Sequence, residues 1–150
     1  KTSSTPGKTQ LINHFEIVSS DNKKWYLVDL PGYGFAKVAQ RDRRRWEQMI
    51  EGYLRKRENL ASVFVLIDSR HTPQAIDIEF INKLGLWGIP FAIVFTKTDK
   101  NKPNATANHV KLFLDALRQT WEEIPSYFIS SALDKTGRKE ILAYISQLNA

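Results

Sequence analysis

Along this chain, short apolar runs alternate with stretches in which apolar residues recur every three to four positions. Residues 11–17, Leu-Ile-Asn-His-Phe-Glu-Ile, alternate roughly in polarity, which predicts a strand. Asp21-Asn22-Lys23-Lys24 is a turn. The run from Trp25 to Val28 closes on Asp29-Leu30-Pro31-Gly32, as a buried strand bounded by turn residues does. These first two strands are expected to form a hairpin with an antiparallel edge. His14 lies on that edge as a surface histidine. Over 40–57, Trp46, Met49, Ile50, Tyr53 and Leu54 fall at helical spacing and predict a core-facing stripe. Residues 63–68 predict a buried strand, followed by the turn Asp68-Ser69-Arg70-His71, where Asp68 is expected to pair with Arg70 or cap the next helix, a further strand-tip functional acid being the alternative. That helix begins near Pro73 and runs to about Trp87, with Phe80, Ile81, Leu84 and Trp87 inward, and Gly88 ends it. Residues 90–96 predict a third buried strand, ending in Thr96-Lys97-Thr98-Asp99. A polar loop leads to a helix carrying Val110, Phe113, Leu114, Leu117 and Trp121. Residues 126–131 predict a last strand, ending in Ser130-Ser131-Ala132. Gly137 leads into a final helix with Ile141, Leu142, Ile145 and Leu148 inward.

A hairpin followed by alternating helices and strands predicts an α/β fold, a doubly wound and mostly parallel sheet with one antiparallel edge. Parallel strands bring their carboxyl ends to one edge, where open α/β sheets bind ligands. Three strands end there in polar signatures, beginning at Asp29, Thr96 and Ser130.

Composition narrows the function. The 150 residues are 42% hydrophobic and 25% charged, as in a soluble globular protein with a real core. Without cysteine, neither a disulfide framework nor a thiolate metal site is open to the chain, and a reducing cytoplasm is the expected compartment. No apolar run approaches the roughly 20 residues of a membrane helix. The formal charge of +6 is uneven: residues 1–57 hold 12 Lys/Arg against 6 Asp/Glu, and the remainder holds 10 of each. The excess gathers on the 40–57 helix as Arg41, Arg43, Arg44, Arg45, Arg55, Lys56 and Arg57. A polyanionic partner, RNA first, is expected for that face; a solvated helix face is the plainer alternative.

The strand tips carry the chemistry. Asp29 at a strand end can reach Mg²⁺ through its water shell, and the Gly32 N–H can face a terminal phosphate, since glycine lets backbone approach a ligand closely. An ionised Asp99 offers two acceptors and no donor. Guanine presents two adjacent donors, N1–H and N2–H₂, whereas adenine presents an acceptor at N1. Asp99 would be left unpaired by adenine, and that unpaired state penalises the wrong base. Lys97 can lay its methylene stem along the base. The N–H groups of Ser131 and Ala132 can donate to guanine O6.

These tips resemble the G3, G4 and G5 motifs of translation-factor-like P-loop GTPases, and the similarity is closest to the bacterial EngB (YihA/YsxC) family. The segments that carry it are Thr2 to Gln10, Leu27 to Gly34, Leu66 to His71 and Phe95 to Asp99, and Thr96 in place of the usual Asn is characteristic of that family. The resemblance covers essentially the whole chain. It implies a three-layer α/β/α G domain over residues 1–150 that hydrolyses GTP to GDP and phosphate. The nucleotide site would comprise Asp29, Leu30, Pro31, Gly32, Thr96, Lys97, Thr98, Asp99, Ser130, Ser131 and Ala132, with Mg²⁺ held at Thr9 and Asp29. Thr9, rather than Thr5, aligns with the Mg²⁺-sensing threonine. A role in large-subunit ribosome assembly, with rRNA or the subunit as partner, is implied, as is one in division septum formation. A monomer is expected.

Two departures qualify this. Gly7-Lys8-Thr9 is not a P-loop, because G-x-x-x-x-G-K-[ST] needs a glycine where Thr2 stands. The first strand and P-loop are therefore expected upstream of residue 1, and the 150 residues alone are expected to be inactive. Tyr33 follows Gly32 where Ras-like enzymes carry the Gln that orients water. This implies slow intrinsic hydrolysis, sped up by a bound ion such as K⁺, by another residue or by the ribosome, and leaves the catalytic residue unassigned. The rival reading is a non-hydrolysing rRNA-binding scaffold with a degenerate nucleotide site.

Overall fold

A computed structural model describes residues 12–32 and 39–150. The chain divides into two compact units, 1–58 and 59–150.

In the first unit, β1 (Asn13–Val18) and β2 (Lys24–Asp29) form the expected antiparallel hairpin. Its turn is closed by the Ser19 N–H donating to Lys23 O at 2.9 Å, with Asn22 in the left-handed region at φ 63°. Asn tolerates that region better than most residues. The Trp25 indole N–H donates to Ser19 Oγ at 2.9 Å. The apolar run of β2 is less buried than its composition predicts: Tyr26 and Leu27 are exposed, and only Trp25 and Val28 are half-covered. Among the described residues β2 pairs only with β1, and a two-stranded ribbon covers little of itself. The amphipathic helix α1 (Gln40–Lys56) follows as predicted. Ile50 and Leu54 are fully buried, and Trp46 and Tyr53 are half-buried. Met49 sits at the edge of the stripe and is exposed, contrary to the inward placement its spacing suggests. His14 is exposed and hydrogen-bonded to Tyr53 Oη at 2.9 Å.

In the second unit, β3 (Val63–Asp68), β4 (Phe91–Thr96) and β5 (Tyr127–Ile129) form a parallel sheet in the order β3-β4-β5. The helices α2 (Ala75–Leu86), α3 (Pro103–Leu117) and α4 (Arg138–Leu148) alternate with these strands. Successive side chains of β4 point to opposite faces, and both faces are covered. On one, Phe95 meets Phe113 of α3 edge-on at 5.5 Å, and Phe91 meets Trp121 at 5.5 Å. On the other, Phe64 and Phe128, which flank Ala92 and Val94 in the register, both pack on Tyr144 of α4. Helices on both faces make the sheet doubly wound. Phe95 and Phe113 are almost fully buried, and each contributes roughly 1.5–3 kcal/mol by leaving water.

Two boundaries and one inward position differ from the expectation. Helix α3 stops at Leu117, so Trp121 lies beyond it and packs from the following turn, its indole N–H donating to Asn82 of α2 at 2.8 Å. Strand β5 is only three residues long, because Ser130 and Ser131 turn into a loop. In α4, Leu142 is exposed, and Tyr144 takes the inward place. Helix α2 ends as predicted at Gly88, whose φ of 68° suits glycine. Among the described residues, no helix is long and apolar enough to cross a membrane.

Candidate functional site

The ends of β4 and β5 are laced together by short-range bonds that follow from their sequences. After Thr96 the chain turns sharply, with Lys97 in the left-handed region at φ 60° and Thr98–Lys100 in a 3₁₀ turn. The Thr98 hydroxyl and N–H both donate to Ser130 O, at 3.1 and 3.3 Å. The Ser130 N–H and hydroxyl in turn donate to Phe95 O, at 2.8 and 3.1 Å. Thr98 and Ser130 therefore join the two loops through backbone carbonyls.

This lacing delivers Asp99 to Ser131. The Ser131 hydroxyl donates to Asp99 Oδ1 at 2.8 Å, and Lys100 Nζ stands 4.0 Å from Oδ2. The Asp99 side chain is 12% exposed and Ser131 is buried. Ser131 Oγ also accepts the Asp134 N–H at 3.3 Å. The Asp134 carboxylate accepts both the hydroxyl and the N–H of Thr136, at 2.6 and 3.0 Å. Those bonds, the hydroxyl first, hold its pKa below the ordinary value. Gly137 closes the loop at φ 79°, where a Cβ would run into the carbonyl oxygen of Ile129. The result is a carboxylate fixed in orientation, with one oxygen anchored and its edge open to solvent.

The two N–H groups assigned to guanine O6 differ. That of Ser131 donates to Thr136 O at 3.1 Å, whereas the exposed Ala132 N–H has no acceptor among the described residues. Ala132 is thus the open donor, and the Ser131 side chain has a role the sequence did not disclose.

Asp68 pairs with Arg70, as expected, through Nη2 at 2.7 Å and Nε at 3.0 and 3.2 Å. The same carboxylate accepts Lys97 Nζ at 3.3 Å, a contact sequence reasoning missed. The side-chain bond from Arg70, then its N–H and Lys97, hold the Asp68 pKa well below the carboxylate range, against a smaller opposing effect of burial. A partly buried knot lies beside it. Asn101 Nδ2 donates to Ser69 O, Ser69 Oγ and Thr106 Oγ1 at 3.0–3.2 Å. His109 Nδ1 lies 2.8 Å from Ser69 O, and since a carbonyl only accepts, that nitrogen carries a proton. Asn101, Thr106 and His109 sit in a stretch with loop and helix composition and carried no readable signal.

In the first unit, Asp29 ends β2 exposed, Leu30 is half-buried, Pro31 is buried, and Gly32 is exposed. The Trp46 indole N–H of α1 donates to Pro31 O at 2.8 Å. Among the described residues, no atom lies within 4 Å of a Cβ placed at Gly32. Arg41, Arg43, Arg44, Arg45, Arg55 and Lys56 are exposed on α1. Arg55 pairs with Glu51 at 2.9 Å, and Arg57 lies 5.2 Å over the Tyr53 ring. Thr9 lies outside the described residues. Among the described residues no group of three or more acids or histidines could hold a metal by itself.

The fold is that of a P-loop GTPase. A crystal structure of a probable GTP-binding protein EngB superposes with a TM-score of 0.74, at 19% identity, covering 97% of this chain and 86% of its own. Translation elongation factor SelB from Methanococcus maripaludis, solved with the GTP analogue GppNHp, superposes with a TM-score of 0.69 over 95% of this chain and 29% of its own, also at 19% identity. A family model described as 50S ribosome-binding GTPase matches residues 1–97. The probable GTP-binding protein EngB of Bacteroides fragilis is 51% identical over 148 residues, 99% of this chain and 72% of the relative. That of Flavobacterium psychrophilum is 51% identical over 150 residues, 99% of this chain and 71% of the relative. The chain belongs to the EngB family of GTPases.

Proposed function

We propose that this protein is a guanine-specific GTPase switch that acts in assembly of the large ribosomal subunit in the cytoplasm, with residues 1–150 serving as one G domain. The anchored Asp99 carboxylate carries the reading. Its Ser131 bond at 2.8 Å sets the orientation needed to accept N1–H and N2–H₂ of guanine. Thr98 and Ser130 hold the two loops together, the Thr96 hydroxyl donates to Ile67 O of β3 at 3.3 Å, the Lys97 stem covers the base, and the Ala132 N–H donates to O6.

The phosphate end falls to Asp29, Leu30, Pro31 and Gly32. Mg²⁺ fits this donor set, because it keeps several waters and takes one or two protein ligands besides phosphate oxygens. Asp29 and Thr9 would hold it, and bound Mg²⁺ would neutralise charge on the phosphates. Among the described residues no side chain crowds Gly32, which is consistent with a phosphate meeting its backbone N–H. With Tyr33 after Gly32, hydrolysis is slow unless K⁺, another residue or the ribosome assists it.

The basic face of α1 is the proposed contact with rRNA or the subunit, supported by its exposed arginines and by the family model's description. A part in septum formation would follow from the same switch, and the protein would act as a monomer. The deciding experiment titrates fluorescent GDP, ADP and XDP against full-length protein and its Asp99→Asn variant. Preference for GDP, passing to XDP in the variant, is expected, because XDP offers a carbonyl where GDP offers an amine. Failure to bind any nucleotide would favour a scaffold. Reversing Arg43, Arg44 and Arg45 to Glu should weaken pelleting with large subunits while sparing GDP affinity; unchanged pelleting would remove α1 from the interface.

A further inference from the structure

Lys97 occupies an unusual position for a long, solvated side chain. It is a non-glycine residue at φ 60°, a conformation uncommon for lysine. The next residue, Thr98, is held by its bond to Ser130 O. A second restraint acts on the Lys97 side chain. The parallel register places Asp68 opposite Thr96, one residue before Lys97. From there the Asp68 carboxylate accepts the Lys97 ammonium at 3.3 Å. The same carboxylate is gripped by Arg70 through its N–H at 3.0 Å and its guanidinium at 2.7 Å, so it cannot swing away with the lysine.

We propose that Asp68 is a positioning residue for guanine binding that acts through Lys97, its carboxylate tethering the ammonium so that the methylene stem is laid out before the base arrives. This rests on the guanine reading above. A free lysine loses much of its rotamer freedom when it packs against a base, and that loss opposes binding. A tethered lysine has already lost part of it. Arg70 serves as the backing of the tether, holding the same carboxylate that accepts Lys97. Asp68→Asn removes the anion and leaves two cations side by side, which frees the lysine.

The test is a double-mutant cycle with full-length protein, titrating fluorescent GDP and recording a thermal melt of each variant. Asp68→Asn and Lys97→Met should each weaken GDP about three- to fivefold, the size expected of a solvent-accessible ion pair. Combined, they should be no weaker than Lys97→Met alone, because the tether then has nothing to hold. Arg70→Gln should leave GDP affinity within about twofold, since the main-chain N–H of residue 70 still holds the Asp68 carboxylate and the ion pair to Lys97 survives. Additive losses in the cycle, an unchanged Asp68→Asn, or an Arg70→Gln as weak as Asp68→Asn would each overturn the proposal and make Asp68 a structural turn residue. Those outcomes leave wild-type preference for GDP over ADP intact. Loss of that preference would instead overturn the guanine reading and this inference with it.

Discussion

Ser131→Ala removes one oxygen with two bonds. The hydroxyl donates to Asp99 Oδ1 at 2.8 Å and accepts the Asp134 N–H at 3.3 Å. Ser131 is 2% exposed, so water does not replace it. A hydrogen bond to an ionised carboxylate contributes about 1.5–3 kcal/mol, and the long N–H bond contributes roughly 0.5. The Asp134 N–H sits among exposed residues and recovers water. Asp99, 12% exposed, recovers it only in part. The loss therefore falls mainly on Asp99. The carboxylate must offer both oxygens to two adjacent donors, and a rotated carboxylate offers neither well. We expect GDP affinity to fall about 10- to 30-fold, or roughly 1.4–2 kcal/mol. Discrimination against ADP should fall by a similar factor, because on the proposed guanine reading the missing bond acts at the base edge. A remaining ~0.5–1 kcal/mol should appear as a melting temperature lower by about 1–4 °C. Fluorescence titration of GDP and ADP against full-length protein, with melts alongside, measures all three. GDP affinity unchanged within about twofold, with a lowered melting temperature, would refute the reasoning and make the Ser131 bond a loop support only.

Gly137→Ala should be more damaging to the fold than to the chemistry: left-handed backbone and a collision with Ile129 O together are expected to cost about 2–4 kcal/mol, read as a fall in urea midpoint at constant slope. Gly85→Ala would put its Cβ 2.5 and 2.8 Å from two ring atoms of Trp121, and should cost about 1–3 kcal/mol by disturbing the ring's contacts with Phe91 and Asn82. Asp68 has a depressed native pKa, so its stabilising contribution is complete above the unfolded carboxylate pKa near 4 and fades as pH falls through the native value. Stability of Asp68→Asn should therefore depend less on pH below about 4 than that of wild type, in urea melts across an acid series.

The fold was legible wherever hydrophobic rhythm was strong. The strand at 63–68 and the helix at 40–57 lie where their spacing puts them, within a residue. The rhythm overran where side chains pack beyond their element. Trp121 keeps helical spacing with Leu117 and Leu114 yet sits past the end of α3, because it reaches Phe91 and Asn82 from a turn. Met49 and Leu142 fit the apolar period but face solvent, since a stripe read from spacing alone has no defined edge. At the site, residue type disclosed the acid at Asp99 but not what aims it. The bonds from Ser131 to Asp99 and from Lys97 to Asp68 each join residues about thirty positions apart, and only parallel register brings them together. Sequence also assigned equal N–H donors to Ser131 and Ala132, and only the backbone path shows that Thr136 already takes the first.

The bond between the Trp46 indole N–H and Pro31 O has an optical consequence. Indole emission shifts in colour when its N–H exchanges a fixed carbonyl for water. Pro31 directly precedes Gly32, so any rearrangement of that carbonyl upon nucleotide exchange would alter the light from Trp46. With Trp25, Trp87 and Trp121 replaced by Phe, the remaining tryptophan would be an unlabelled, real-time gauge of the Pro31 carbonyl beside the proposed phosphate site, and identical spectra with GDP and a GTP analogue would mean that the carbonyl stays put.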